Sequence, residues 1–154
     1  MINKIPVGWR EWLSLPELGI PAIKAKIDTG ARTSALHVFK LETYIENTQR
    51  RVSFSLHPLQ KRTDIEICCA ADIVDERLVR DSGGHLERRL VIHTPIRLGS
   101  RQWPIEITLT NREDMQFRML LGRTALRERL IVDPELSYQT GKLSRRIYAI
   151  KPVP

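Results

Sequence analysis

The chain has few aromatic residues: three Phe, three Tyr and three Trp among 154. Its core must therefore be mainly aliphatic, and exposed rings for stacking nucleic-acid bases are scarce. No apolar run approaches about 18 residues, so no membrane-spanning helix is expected. The opening stretch MINKIPVGWREW lacks the apolar run of a secretory signal. Cysteine is limited to Cys68 and Cys69. Neighbours on a strand face opposite sides, which disfavours a shared disulfide. Two free thiols fit a reducing compartment, and a cytoplasmic location is expected. Several catalytic signatures are missing: HExxH, the GxSxG elbow and the GxxxxGK phosphate loop. His37, His57, His85 and His93 lie far apart, without the paired spacing of zinc ligands. Each reads as a solvated or hydrogen-bonded histidine, and no metal or cofactor is expected. Ser34 and His37 do not read as a nucleophile pair, because residues three apart on a strand face opposite sides.

What is present describes a folded, basic, strand-rich chain. Its length fits a single domain over residues 1–154, with 42% apolar and 28% charged residues. The net charge of +7 points to anionic partners: nucleic acid, acidic membrane surfaces or acidic peptides. Short alternating runs dominate. In AIKAKID, Ile23, Ala25 and Ile27 point one way and Lys24 and Lys26 the other. SALHVFKLE alternates next, and RRVSFSLHP puts Val52, Phe54 and Leu56 on one face. DSGGH at Asp81–Gly84 and the Gly99 region mark two hairpins. FRMLLG reads as a further strand. RTALRERL, Arg123 to Leu130, predicts the one short helix, with Ala125, Leu126 and Leu130 on its apolar face. SRRIYAIKPVP predicts a C-terminal strand. The pattern predicts a closed or partly closed antiparallel β-barrel with one short helix, and it disfavours parallel pairing because crossover helices are missing.

The strand AKI ends in Asp28-Thr29-Gly30-Ala31. A glycine there allows a tight turn and brings its amide near the carboxylate. KIDTGA resembles the active-site motif of aspartic proteases. MLLGRTAL, Met119 to Leu126, is similar to the apolar-apolar-Gly-Arg stretch before the single helix of retroviral-type enzymes. The wider run LPELGIPAIKAKIDTGARTSALH, residues 15–37, resembles a bacterial retropepsin-like aspartic peptidase family whose members long carried the label ATP-dependent zinc protease.

The resemblance implies an acid-protease barrel that works as a homodimer. Asp28 of each chain would share one proton in a two-carboxylate dyad, because the chain has no second Asp-Thr-Gly. Thr29 would bond across the dyad and Gly30 would offer its carbonyl to substrate. Leu120, Leu121 and Gly122 form the structural motif beside that loop. Ala31, Gly83, Gly84, Arg32 and Arg123 would contact substrate, with Asp81–Gly84 as the flap tip and the loop His57 to Asp64 as its competitor. Terminal strands near Ile2 to Val7 and Arg146 to Ile150 would form an intersubunit sheet. Many retroviral-type enzymes carry an acidic residue where this chain has Arg32, so Arg32 and Arg123 cannot pair. Two free guanidiniums imply carboxylate-bearing ligands. The family is linked to ATP-grasp ligases that add glutamates to protein tails, so the expected substrate is an acidic peptide or protein tail and a glutamate ligase is the expected partner. The rivals are a catalytically silent module binding acidic peptides and a phosphate-reading barrel using Gln49 to Arg51 and Glu87 to Arg89.

Overall fold

A computed structural model describes residues 3–81, 83–112, 114–143 and 145–148. In chain order the strands are β1 (Ile5–Val7), β2 (Arg10–Leu15), β3 (Ile20–Ile27), β4 (Ser34–Glu46), β5 (Gln49–Leu56) and β6 (Ile67–Asp72). They continue with β7 (Asp75–Arg80), β8 (Leu86–Leu98), β9 (Arg101–Asn111), β10 (Met119–Leu121), the helix α1 (Arg123–Leu126) and β11 (Leu130–Val132). The protein is mainly β. Strands β10, β3, β2, β8, β9 and β4 pair in that order, and β10 pairs again with β4, so the sheet closes into a ring. The ring is thinnest between β2 and β8, where only Ser14 and Arg97 are in register. β5 and β6 extend it beyond β4, and β7 folds onto β8 as a hairpin.

Alternation puts the core inside this ring. Ile23, Ala25 and Ile27 are buried while Lys24 and Lys26 reach outward. Val52, Phe54 and Leu56 are buried on β5 and meet Leu13, Leu36, Ile92 and Ile107 in one aliphatic cluster. Each such side chain contributes about 1.5–3 kcal/mol when fully buried. The start of β4 departs from alternation: Ser34, Ala35, Leu36, His37 and Val38 are all buried. There β4 lies between β10 and β9 and is paired along both edges. The two cysteines are free, Cys68 exposed and Cys69 buried. Burial pushes the Cys69 thiol up to about 12.

Three expectations are corrected. Pairing is not wholly antiparallel, since β3 with β10, β4 with β9 and β1 with β11 run parallel. Hairpin extensions, not helices, supply the long connections that parallel pairing needs. The helix is shorter than predicted: it ends at Leu126, Glu128 adopts a left-handed φ of 66°, and Leu130 opens β11. Leu130 is buried as expected, but as the strand partner of Ile5. Arg145–Tyr148 forms a 3₁₀ turn and not a strand. The Tyr148 hydroxyl accepts the Ala22 amide at 3.0 Å and donates to the Ala22 carbonyl, which folds this segment back onto β3. Of the segments expected to form an intersubunit sheet, β1 pairs with β11 of its own chain and residues 146–148 lie in the 3₁₀ turn, while Ile2 and residues 149–150 lie outside the described residues.

One buried carboxylate clamps the chain beside the ring. Glu11 on β2 is fully buried. Its Oε2 accepts the amides of Gly8 at 2.7 Å and Gln139 at 2.9 Å. Its Oε1 accepts the Thr140 amide at 3.1 Å and the Thr140 hydroxyl at 3.0 Å. Glu11→Ala leaves these donors without an acceptor. At about 1–3 kcal/mol per stranded group, we expect urea unfolding to show a loss of at least about 3 kcal/mol; a loss below about 1 kcal/mol would mean that water replaces the clamp.

Candidate active site

The Asp-Thr-Gly loop is shaped by what lies beneath it. β10 runs between β3 and β4, pairing Leu121 with Ile27 and Leu120 with Ala35. Between those strands the chain crosses over the end of β10. The Asp28 amide donates to the Leu121 carbonyl at 2.8 Å. The first amides of α1 lack partners within the helix, and the loop supplies them: Arg123 N–H donates to Ala31 O at 2.8 Å and Thr124 N–H to Arg32 O at 3.0 Å. The Gly122 amide donates to Ser34 Oγ at 3.1 Å. A Cβ on Gly122 would fall 2.6 Å from the Thr33 carbonyl carbon and oxygen, so only glycine fits this crossing. Leu120, Leu121 and Gly122 thus form the shelf on which the loop rests.

On that shelf the Asp28 carboxylate is partly exposed. Its Oδ1 accepts the Gly30 amide at 3.0 Å, and Oδ2 has no hydrogen bond among the described residues. Thr29 and Gly30 are exposed beside it. Asp28, Gly30, Ala31, Arg32 and Thr33 form one wall of a cleft of about 1530 Å³. Arg77 to Asp81 of the β7–β8 hairpin line it too. Ala35 and His37 of β4 line it as well, together with Arg112 and residues 115–117. Trp9 and Phe117 meet edge to face, with ring centres 5.7 Å apart.

The cleft is basic. Lys26, Arg32, Arg77, Arg80, Arg89 and Arg112 line it, against Asp28, Asp81 and Glu106. Two of those carboxylates are engaged. Glu106 meets Arg77 at 2.6 Å, and Asp81 Oδ1 accepts the amides of Gly83 and His85, both at 2.9 Å. These amides, with His85 foremost, hold the Asp81 carboxyl below its ordinary range. Arg32 is exposed and has no ion pair among the described residues.

The two arginines singled out in the sequence part company. Arg32 lines the cleft, whereas Arg123 lies outside the lining residues and its Nη1 donates to the Thr29 carbonyl at 3.0 Å. Gly83 and Gly84 sit at the exposed tip of the hairpin and do not line the cleft within one chain. The rival loop, His57 to Asp64, contributes no lining residue, and its Leu59 is buried against Trp12 and Ala22.

His37 departs from its expected setting. It is 5% exposed, and neither ring nitrogen has a hydrogen-bond partner among the described residues. Burial pushes its pKa down to about 4, and Arg112 and Arg89 push the same way. Its presence in the cleft was readable, because Ala35 and His37 share a strand face directly after the loop. The contributions of Arg77, Arg89 and Arg112 were not, since they depend on how the hairpins fold over. No group of three or more His, Cys, Asp or Glu side chains suited to a metal ion occurs among the described residues.

A strand ring that carries an Asp-Thr-Gly loop over a strand-Gly-helix corner is an acid-protease type of architecture. The chain belongs to the RimB-like family, described as retropepsin-like aspartic endopeptidase RimB, whose model matches residues 6–142. Among curated proteins it is 45% identical over 144 residues to a Desulfotalea psychrophila protein named "probable alpha-L-glutamate ligase", covering 94% of this chain and 31% of that one. A Parasynechococcus marenigrum protein of the same name is 48% identical over 143 residues, covering 93% and 31%. The chain thus spans about a third of the length of these relatives. A Legionella pneumophila crystal structure of unknown function superposes with a TM-score of 0.76 at 24% identity, covering 90% of this chain and 99% of that one. That likeness concerns the fold alone.

Proposed function

We propose that the protein is one half of a homodimeric aspartic peptidase that cuts acidic, glutamate-rich peptides. The observation that carries this reading is the Asp28 carboxylate, held by the Gly30 amide on the wall of a large cleft with one oxygen unengaged. The other carboxylates lining the cleft are occupied by Arg77 or by hairpin amides. Asp72 and Asp133 do not line it. The second carboxylate of the dyad therefore comes from Asp28 of a second copy, through an isologous interface. One Asp28 is ionised and takes a proton from water. The water oxygen attacks the peptide carbonyl carbon while the protonated Asp28 gives its proton to the carbonyl oxygen. Collapse of the gem-diol breaks the C–N bond, and the leaving amine takes up a proton. Thr29 steadies the paired loops, the Gly30 carbonyl receives the substrate backbone, and the β7–β8 hairpin, tipped by Gly83 and Gly84, closes over the peptide.

The basic cleft supports an acidic substrate. So do the relatives' names, because a peptidase that trims glutamates and a ligase that adds them act on the same tails; a glutamate ligase is accordingly the proposed partner. The partial coverage of those ligase-named relatives favours one second reading, a silent domain that only holds acidic tails for a ligase.

Arg32 reads a substrate carboxylate in this account, and Arg123 holds the loop through Thr29. Arg32→Ala should lower kcat/KM for oligo-glutamate by about tenfold or more, the worth of one charge-assisted bond, with little change for oligo-glutamine. Arg123→Ala should lower both equally. Steady-state cleavage of the two peptides checks this, and equal losses in Arg32→Ala would remove Arg32 from recognition.

A further inference from the structure

Beyond the Asp28 loop, the cleft contains a polar side chain that the fold buries and leaves unbonded. His37 lines the cleft, is 5% exposed, and has both ring nitrogens unpartnered among the described residues. Its register partner on β9, Thr110, is fully buried outside the cleft lining, and its hydroxyl has no partner among the described residues. Buried polar groups in folded proteins normally have partners, and a ligand entering the cleft can supply one to His37, which lines it. The surrounding charges indicate its sign. Among the described residues, Arg112, Arg89 and Arg118 act on the imidazole in one direction and Asp114 in the other. Arg112 meets Asp114 at 3.3 and 3.4 Å through Nε and Nη2, and its Nη1 has no partner among the described residues. Arg89 is buried, with Nε on Glu87 at 3.1 Å and Nη1 near Thr108 Oγ1 at 3.5 Å. The balance at His37 is positive, and the group that fits there is an anionic acceptor.

We propose that His37, Arg89 and Arg112 form a second anion subsite, which takes one carboxylate side chain of the bound peptide at a distance from the bond that is cut. This rests on the peptide-cleft reading above. His37 follows Ala35 by two residues, roughly 7 Å further along β4 from the Asp28 loop. That is the repeat between same-side residues of an extended peptide, so this subsite and Arg32 read different side chains. Two acidic readers in one cleft select a run of glutamates over a lone one.

The test uses glutamine peptides with a single glutamate walked along the chain, with cut sites mapped by mass spectrometry. Wild type should cut at two preferred offsets from the glutamate, each favoured by about tenfold or more. Arg32→Ala should remove one offset; Arg112→Gln and His37→Leu should remove the other. An unchanged offset pattern in both Arg112→Gln and His37→Leu overturns the subsite while leaving the peptidase reading intact. A cleavage-independent readout is the ¹⁵N histidine NMR spectrum during titration with glutarate. His37 should respond saturably in wild type and not in Arg112→Gln. If no peptide is cut but His37 responds in this way, the subsite stands and the peptidase reading fails. Absence of a His37 response overturns the subsite whether or not peptides are cut.

Discussion

Asp28→Asn is expected to lower peptide cleavage by at least about 10⁴-fold, the upper range for loss of general acid–base catalysis. Asparagine is nearly the same size and retains an oxygen that can accept the Gly30 amide, now at 3.0 Å from Asp28 Oδ1. The loop should keep its shape, because its other supports come from the Leu121 carbonyl and the amides of Arg123 and Thr124. The melting temperature should move by no more than about 2 °C, the shift produced by a few tenths of a kcal/mol in a chain of this size. What disappears is the capacity to hold and pass a proton. In the silent-module reading the same variant binds oligo-glutamate as wild type does and there is no wild-type cleavage to lose. Measuring cleavage and binding together separates the two.

Gly122→Ala should have the second large effect, acting on fold and activity together. The added methyl would sit 2.6 Å from the Thr33 carbonyl carbon and oxygen and 2.9 Å from the Thr33 nitrogen. All three are backbone atoms, so no side chain can swing aside. Either the loop lifts or β10 sinks, and the amide bond from Gly122 to Ser34 Oγ is disturbed in both cases. Overpacking of this kind costs about 1–3 kcal/mol or more. Thermal unfolding should show that loss, and cleavage should fall much further than stability because Asp28 moves with the loop. Wild-type stability and activity in Gly122→Ala would mean that the crossing is looser than its geometry implies.

The parts of the fold that follow a local rule were legible in the sequence. The face of β3 that carries Ile23, Ala25 and Ile27, the face of β5, and the hairpins at Asp81–Gly84 and Gly99 follow from period-two alternation and turn chemistry. The Asp28 loop and its Gly122 shelf were expected from the resemblance of KIDTGA and MLLGRTAL to aspartic-protease motifs, and the close approach of Thr33 to Gly122 shows why glycine stands there. The rest depends on pairing between distant segments. Nothing local tells that β10 slips between β3 and β4, or that β4 and β9 run parallel. Leu130 fits a helix face as well as a strand, and its parallel pairing with Ile5 is a tertiary decision. Likewise, Arg123 could not be told from Arg32 by sequence. Both flank the loop, and only the folded corner directs Arg123 at Thr29 and leaves Arg32 in the cleft.

In the proposed mechanism, catalysis takes one Asp28 from each of two chains. A crystal structure of the dimer that forms in solution tests it most directly, through the distance between the two Asp28 carboxylates. A two-fold axis through the paired loops is expected, with carboxylate oxygens about 3 Å apart, close enough to share one proton. A dimer with the Asp28 loops facing away from each other, or a chain that cuts peptides while monomeric, would contradict it.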